Sequence, residues 1–125
     1  MTTDSLRPEL RWAVEAAQNK KAAGVTLLDL AALAAFTDYF LICSGLSSRQ
    51  VQAISDEIEE QLGRRGVVFR HREGYQSGEW VLLDYGGFVV HIFNERARLY
   101  YDLERLWRKA RRTDFPDAEP GAGPR

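Results

Sequence analysis

The stretch EWVLLDYGGFVVHIF, residues 79 to 93, constrains the fold more than any other part of this 125-residue chain. Two runs rich in Val, Ile, Leu and aromatic side chains flank Gly86-Gly87, which predicts a β-hairpin closed by a two-residue turn. Glycine alone takes positive φ at both central positions without steric cost. That loop length sets the register: Tyr85 faces Phe88, Asp84 faces Val89, Leu83 faces Val90, Leu82 faces His91, Val81 faces Ile92 and Trp80 faces Phe93. Side chains alternate along a strand, so one face carries Val81, Leu83, Tyr85, Phe88, Val90 and Ile92 and reads as core. The other carries Trp80, Leu82, Asp84, Val89, His91 and Phe93 and is amphipathic.

The rest of the chain supplies elements to pack on that hairpin. An amphipathic helix is expected over 5–22, capped by Ser5, with Pro8 in its first turn, Leu6, Leu10, Val14 and Ala17 on one face, and Gly24 as its terminator. Strands are expected over 25–30, 38–44 and 67–72. A helix over 48–63 places Val51, Ile54, Ile58 and Leu62 in a buried stripe, with Asp56, Glu57, Glu59 and Glu60 on a solvated outer face. A last helix over 96–111 turns Leu99, Leu103, Leu106, Trp107 and Ala110 inward, and its many cations complement the helix dipole in the final turns. The tail from Thr113, with three prolines and two glycines, is expected to be disordered. These readings give one domain over 1–112 and a tail over 113–125. The order α-β-β-α-β-β-β-α predicts an α/β (α+β) fold. It has a mixed sheet of about five strands packed with helices, and the helix after the second strand permits a parallel crossover.

Composition narrows the classes of function. A net charge of -1 gives no global pull toward nucleic acid or an anionic membrane. No apolar run approaches the roughly 18 residues needed to span a bilayer, and the amino terminus shows no signal-peptide core. A cytoplasmic protein is expected. The single cysteine, Cys43, excludes an internal disulfide or a cysteine-rich metal site and reads as a small buried strand residue.

Catalytic constellations are weak. In SGLSSRQ, residues 44–50, a turn at a helix start can hold a phosphate, but Ser47 and Gln50 fit a capping box and no phosphate-loop pattern is present. A Ser-Gly turn, a helix and a later strand aspartate resemble the layout of nucleotidyltransferases, which hold two metal ions with paired carboxylates. Asp84 stands alone, with Leu82 and Gly86 at the neighbouring same-face positions. Asp84 and His91 lie diagonally across the hairpin, roughly 7–8 Å apart at the backbone, and no nucleophile accompanies them. His71 is not at metal-ligand spacing to His91. No catalytic, metal or cofactor-binding residue is therefore expected. The amphipathic hairpin face has the composition of an interface core, with tryptophan among apolar neighbours and one acid and one imidazole to orient a partner. The competing reading is that a helix covers it. Against this stands the expectation that three helices are already needed on the opposite face.

Taken together, TDYFLICSGLSSRQV (37–51), EG (73–74), EWVLLDYG (79–86), VVHIF (89–93) and RLYYDLERLW (98–107) resemble the ribosomal silencing factor, or Iojap, family over residues 5 to 108. The resemblance implies a small domain of nucleotidyltransferase-like topology without enzymatic activity. It implies a translational repressor that binds the large ribosomal subunit through ribosomal protein fourteen and blocks joining of the small subunit. Alternatives are a large-subunit assembly factor, as in organellar relatives, or a degenerate nucleotidyltransferase. No cofactor, small-molecule substrate or membrane is implied, and a homodimer of the free protein is left open. The family's motif tryptophan and strand aspartate fall on Trp80 and Asp84, and the partner-binding set is expected to be Trp80, Leu82, Asp84, Tyr85 and His91. The chain after Arg112 lies outside the family pattern.

Overall fold

In the computed structural model, which describes residues 6–33 and 35–117, the chain begins with α1 (Pro8–Asn19). Its start rests on Pro8, whose fixed φ suits the first helical turn. Ser5 lies outside the described residues, and Arg7 occupies the cap position without a side-chain bond. Leu10, Ala13, Val14, Ala16 and Ala17 form the buried stripe. The helix ends at Lys21 in a left-handed conformation (φ 59°), with the Ala22 N–H returning to the Ala17 carbonyl. Gly24, expected as the terminator, instead sits in β1 (Ala23–Asp29), where the pairing register shifts between Ala23 and Thr26.

After a short 3-10 turn at Ala31–Leu33 come β2 (Tyr39–Gly45) and α2 (Ser48–Gly63), both within a residue of expectation. Ser47 Oγ accepts from the Gln50 N–H at 3.1 Å, while Gln50 Oε1 accepts from Leu46 rather than from Ser47, so the reciprocal cap is displaced by one residue. The Gln50 amide also donates to the Lys20 and Lys21 carbonyls, tying the start of α2 to the end of α1. Cys43 is buried, which pushes its thiol up to about 12.

The third strand departs from expectation. Only β3 (His71–Glu73) pairs, although Val67 and Phe69 still alternate inward. Its neighbour β4 (Trp80–Asp84) is five residues long and turns away after Asp84, so residues 67–69 have no ladder to join. Gly74 connects the two with φ 81°, and a side-chain carbon there would overlap the Trp80 carbonyl. β5 (Phe88–Asn94) completes the hairpin in the expected register, from Trp80 opposite Phe93 to Asp84 opposite Val89. Gly86 alone has positive φ (89°); Gly87 does not, so the turn uses one left-handed residue instead of two.

The single carboxy-terminal helix expected over 96–111 is not formed. α3 (Glu95–Tyr101) is capped by Asn94 and stops at Asp102, a left-handed residue with φ 48°. α4 (Leu103–Leu106) is one turn, and the chain then enters β6 (Arg111–Asp114). Leu99 and Leu106, expected inward, are exposed. The tail expected to be disordered from Thr113 thus begins as a strand. Phe115 continues the pairing through its N–H to the Val25 carbonyl and buries its ring in the core beside α1. Residues 118–125 lie outside the described residues.

Among the described residues the sheet has six strands, where about five were expected, in the order β3-β4-β5-β2-β1-β6. β2 and β5 are parallel, joined by the crossover through α2, and the remaining pairs are antiparallel. Among the described residues, α1 and α2 are the helices that cover the first face, burying Val81, Leu83, Phe88, Val90 and Ile92 against Leu10, Ile54 and Ile58. On the second face a smaller core gathers Leu28, Leu30, Phe40, Ile42, Val89 and Phe93 under Ala97 and Ala110, with Leu103 and Trp107 half-buried beside them. The expectation that three helices occupy the first face is therefore corrected: the third has crossed to the other. No described helix is long and apolar enough to cross a membrane.

Candidate functional site

Coverage of the second face is incomplete, and its open border runs along β4. Trp80, Leu82 and Asp84 alternate with the buried Val81 and Leu83 and are each half-buried. The Trp80 indole stacks on Phe93 with centroids 4.9 Å apart, and Tyr101 of α3 leans on its far side at 4.6 Å. Beneath it the indole N–H donates to His91 Nδ1 at 3.1 Å. His91 in turn stands at a steep angle to Phe40, 4.4 Å away. Phe36 lies 6.0 Å from Phe40, and Tyr100 lies 5.0 Å from Tyr101. A continuous chain of rings therefore crosses the face, from Phe36 through Phe40, His91, Trp80 and Tyr101 to Tyr100. Its middle is buried and its ends are open: Phe36 is 77% and Tyr100 79% exposed. A cleft of about 300 Å³ opens between Trp80, Tyr100, Tyr101 and Arg96. Exposed apolar surface concentrated in this way marks interaction sites more often than isolated exposed residues do.

The expected site residues separate into three groups. Trp80, Leu82 and Asp84 share the open border. His91 lies on the same face but is buried, 4% exposed, and supports Trp80 from below. Tyr85 belongs to the opposite face, stacked on Phe88 at 4.9 Å and edge-on to Phe69. Its hydroxyl is buried there without a partner, and burial raises its pKa. Phe36, Tyr100 and Tyr101 were missed by the sequence reading. No local signal marked the tyrosines, since adjacent helix residues can share a buried face, as Ala13 and Val14 do in α1.

The Asp84–His91 pair is not made. Asp84 Oδ1 accepts the Gly86 N–H at 2.8 Å and fastens the hairpin turn. Burial lowers the His91 pKa from 6.5 to about 3, so the imidazole is neutral at physiological pH. With Nδ1 accepting from the indole, the proton resides on Nε2, which is buried without a partner. The unfolded chain takes up this proton near pH 6.5 and the folded one only near pH 3, so stability present above pH 6.5 is lost as the pH falls between them. Between pH 7 and pH 5 the protein should lose about 1–2 kcal/mol more stability than a His91→Leu variant. Denaturant midpoints at the two pH values measure this, and equal acid slopes would place His91 in a solvated setting.

At the start of α2 two of the turn's N–H groups are already engaged by side chains. The Leu46 N–H is taken by Gln50 and the Gln50 N–H by Ser47. Ser44 Oγ accepts from Arg98, which also forms a two-pronged pair with Glu104 at 3.2 and 2.9 Å. Glu104 reaches Arg112 at 3.4 Å, so this network clamps α3, α4 and β6 together. Among the described residues no three His, Cys, Asp or Glu side chains are placed to hold a metal ion.

Residues 3–124 match the model of the family described as "Ribosomal silencing factor during starvation". The chain is 42% identical over 106 residues to the ribosomal silencing factor of Bacillus subtilis, covering 85% of this chain and 90% of that protein. The corresponding protein of Halalkalibacterium halodurans is 43% identical over 98 residues, 78% of this chain and 84% of that one. An X-ray crystal structure of a Chromobacterium violaceum protein superposes with a TM-score of 0.78 at 32% identity, covering 99% of this chain and 98% of that one.

Proposed function

The chain belongs to the ribosomal silencing factor family, and on that premise we propose that it represses translation by occupying the large ribosomal subunit, without catalysis. The observation that carries this reading is the aromatic border along β4. Trp80, Tyr101 and Tyr100 form a preordered apolar surface with Leu82 beside it, and Asp84 supplies one carboxylate at its end. Rigid aromatic anchors of this kind lose little entropy on docking. The partner is ribosomal protein fourteen on the intersubunit face, and docking there excludes the small subunit sterically. His91 contributes by holding the indole, not by contact, and Tyr85 contributes only through the core.

In a system of purified subunits the protein should lower subunit joining in proportion to its occupancy, with no nucleotide required. Small subunits joined beforehand should protect, since they cover the docking site. Asp84→Asn keeps the acceptor for the Gly86 N–H while removing the charge, so it tests the carboxylate without disturbing the turn. Inhibition that requires ATP hydrolysis, or equal inhibition of preformed ribosomes, would sink the exclusion reading.

A further inference from the structure

Residues 105–112, RLWRKARR, hold five cations and no acid in a protein whose net charge is -1. A helix dipole would account for such a cluster at the end of a long helix, but here α4 is only four residues long and Trp107 to Lys109 form a turn. The structure shows another arrangement. Leu103, Trp107 and Ala110 pack into the second core, with Trp107 edge-on to Phe40 at 5.9 Å. This inward set pins the backbone, and Arg105, Arg108, Lys109 and Arg111 are left pointing out, all exposed. Arg112 is engaged with Glu104 and Asp114. Among the described residues none of the other four forms an ion pair, and the Arg108 guanidinium meets only the Arg105 carbonyl, at 3.5 Å. Lys109 and Arg111 open onto a hollow of about 510 Å³ with Ala31, Ala32 and Leu33. The one acid there, Asp29, accepts from its own turn at the Ala31 N–H. The acidic residues of α2 lie on the opposite layer, so the charge separation is across the molecule.

We propose that residues 105–111 grip the phosphate backbone of ribosomal RNA beside the docking surface. The proposal rests on the reading that this chain docks on the large subunit, a particle of RNA and protein. The aromatic border carries little charge and selects by shape. Four unpaired cations on a fixed turn, adjoining that border through Phe40, suit a uniformly anionic chain that carries no sequence information. They also draw the protein toward the subunit before the rings meet.

The test is the salt dependence of binding to purified large subunits, compared with binding to isolated ribosomal protein fourteen. Replacing Arg105, Arg108, Lys109 and Arg111 by glutamine should flatten the slope of log affinity against log salt by about 3–4 units, at roughly 0.7–0.9 per phosphate released. Affinity for the isolated protein and the melting temperature should stay unchanged, because all four side chains are exposed. A control variant with glutamine at Lys20, Lys21, Arg49 and Arg64 carries the same charge change and should keep the original slope. A wild-type slope in the first variant overturns the RNA grip and leaves the docking reading standing. So does an equal loss of affinity for the isolated protein, or equal flattening in the control. A wild-type protein that does not bind large subunits at all overturns both, whereas Trp80→Ala with full affinity removes only the aromatic docking surface.

Discussion

Replacing Trp80 with alanine should lower affinity for large ribosomal subunits about 30-fold or more, corresponding to about 2 kcal/mol. The half-buried indole is the centre of the open border, stacked on Phe93 with Tyr101 tilted against it, and its truncation leaves a hole where a partner would meet a ring. The same change withdraws the donor from His91 Nδ1, leaving a buried acceptor unpaired at a cost of about 1–3 kcal/mol to the fold. Trp80→Phe separates the two effects, since phenylalanine keeps the stack but lacks the N–H. It should melt earlier than wild type while binding within a few-fold of it, whereas Trp80→Ala should lose both. Co-sedimentation with purified subunits and thermal melts of the three proteins decide the matter. If both variants lose binding only in proportion to their loss of stability, Trp80 acts as a support for the core and the docking role fails.

Ending the chain at Arg112 should destabilise it by about 3–5 kcal/mol, the range for removing a buried phenylalanine. Phe115 is 9% exposed in the first core, and its N–H bonds to the Val25 carbonyl at 2.8 Å. Asp114 receives the Thr26 hydroxyl at 2.8 Å, Asp117 accepts the Gly24 N–H at 2.9 Å, and Gln18 donates to the Pro116 carbonyl at 3.0 Å. Truncation therefore exposes the edge of β1 as well as emptying a pocket, and an open edge invites association between chains. Composition alone predicts no change, because beyond Phe115 the segment holds too few apolar residues to offset the entropy of ordering it. Urea unfolding of the shortened and full-length chains measures the difference, and coincident midpoints would return residues 113–117 to the status of a passive tail.

The candidate site was legible in the sequence where its geometry is local to the hairpin. Trp80, Leu82 and Asp84 were placed on one face by counting from Gly86-Gly87, and that register is the observed one. The same count put Tyr85 on the core face, where Phe69 and Phe88 enclose it; its place in the expected partner-binding set came from the family resemblance and not from the register. The aromatic chain as a whole could not be read, since Phe36, Trp80 and Tyr101 come from three distant segments.

Local chemistry is what the sequence determined by itself. A two-residue loop imposes a register, a serine before an apolar stripe imposes the start of α2, and a helix between β2 and β5 permits their parallel pairing. Each of these depends on residues within a few positions of one another, or on one connection. Tertiary structure decided which segments complete the edges of the sheet and which side the last helices cover. RRTD carries no strand pattern, yet it pairs because β1 has an open ladder and Phe115 needs a core. VVF at 67–69 carries a strong one and does not pair, because β4 ends before reaching it. Asp102 breaks a periodic helix so that Trp107 can reach Phe40 and Arg111 can reach β1. Backbone hydrogen bonds require a partner at the right distance, and only the assembled sheet supplies one.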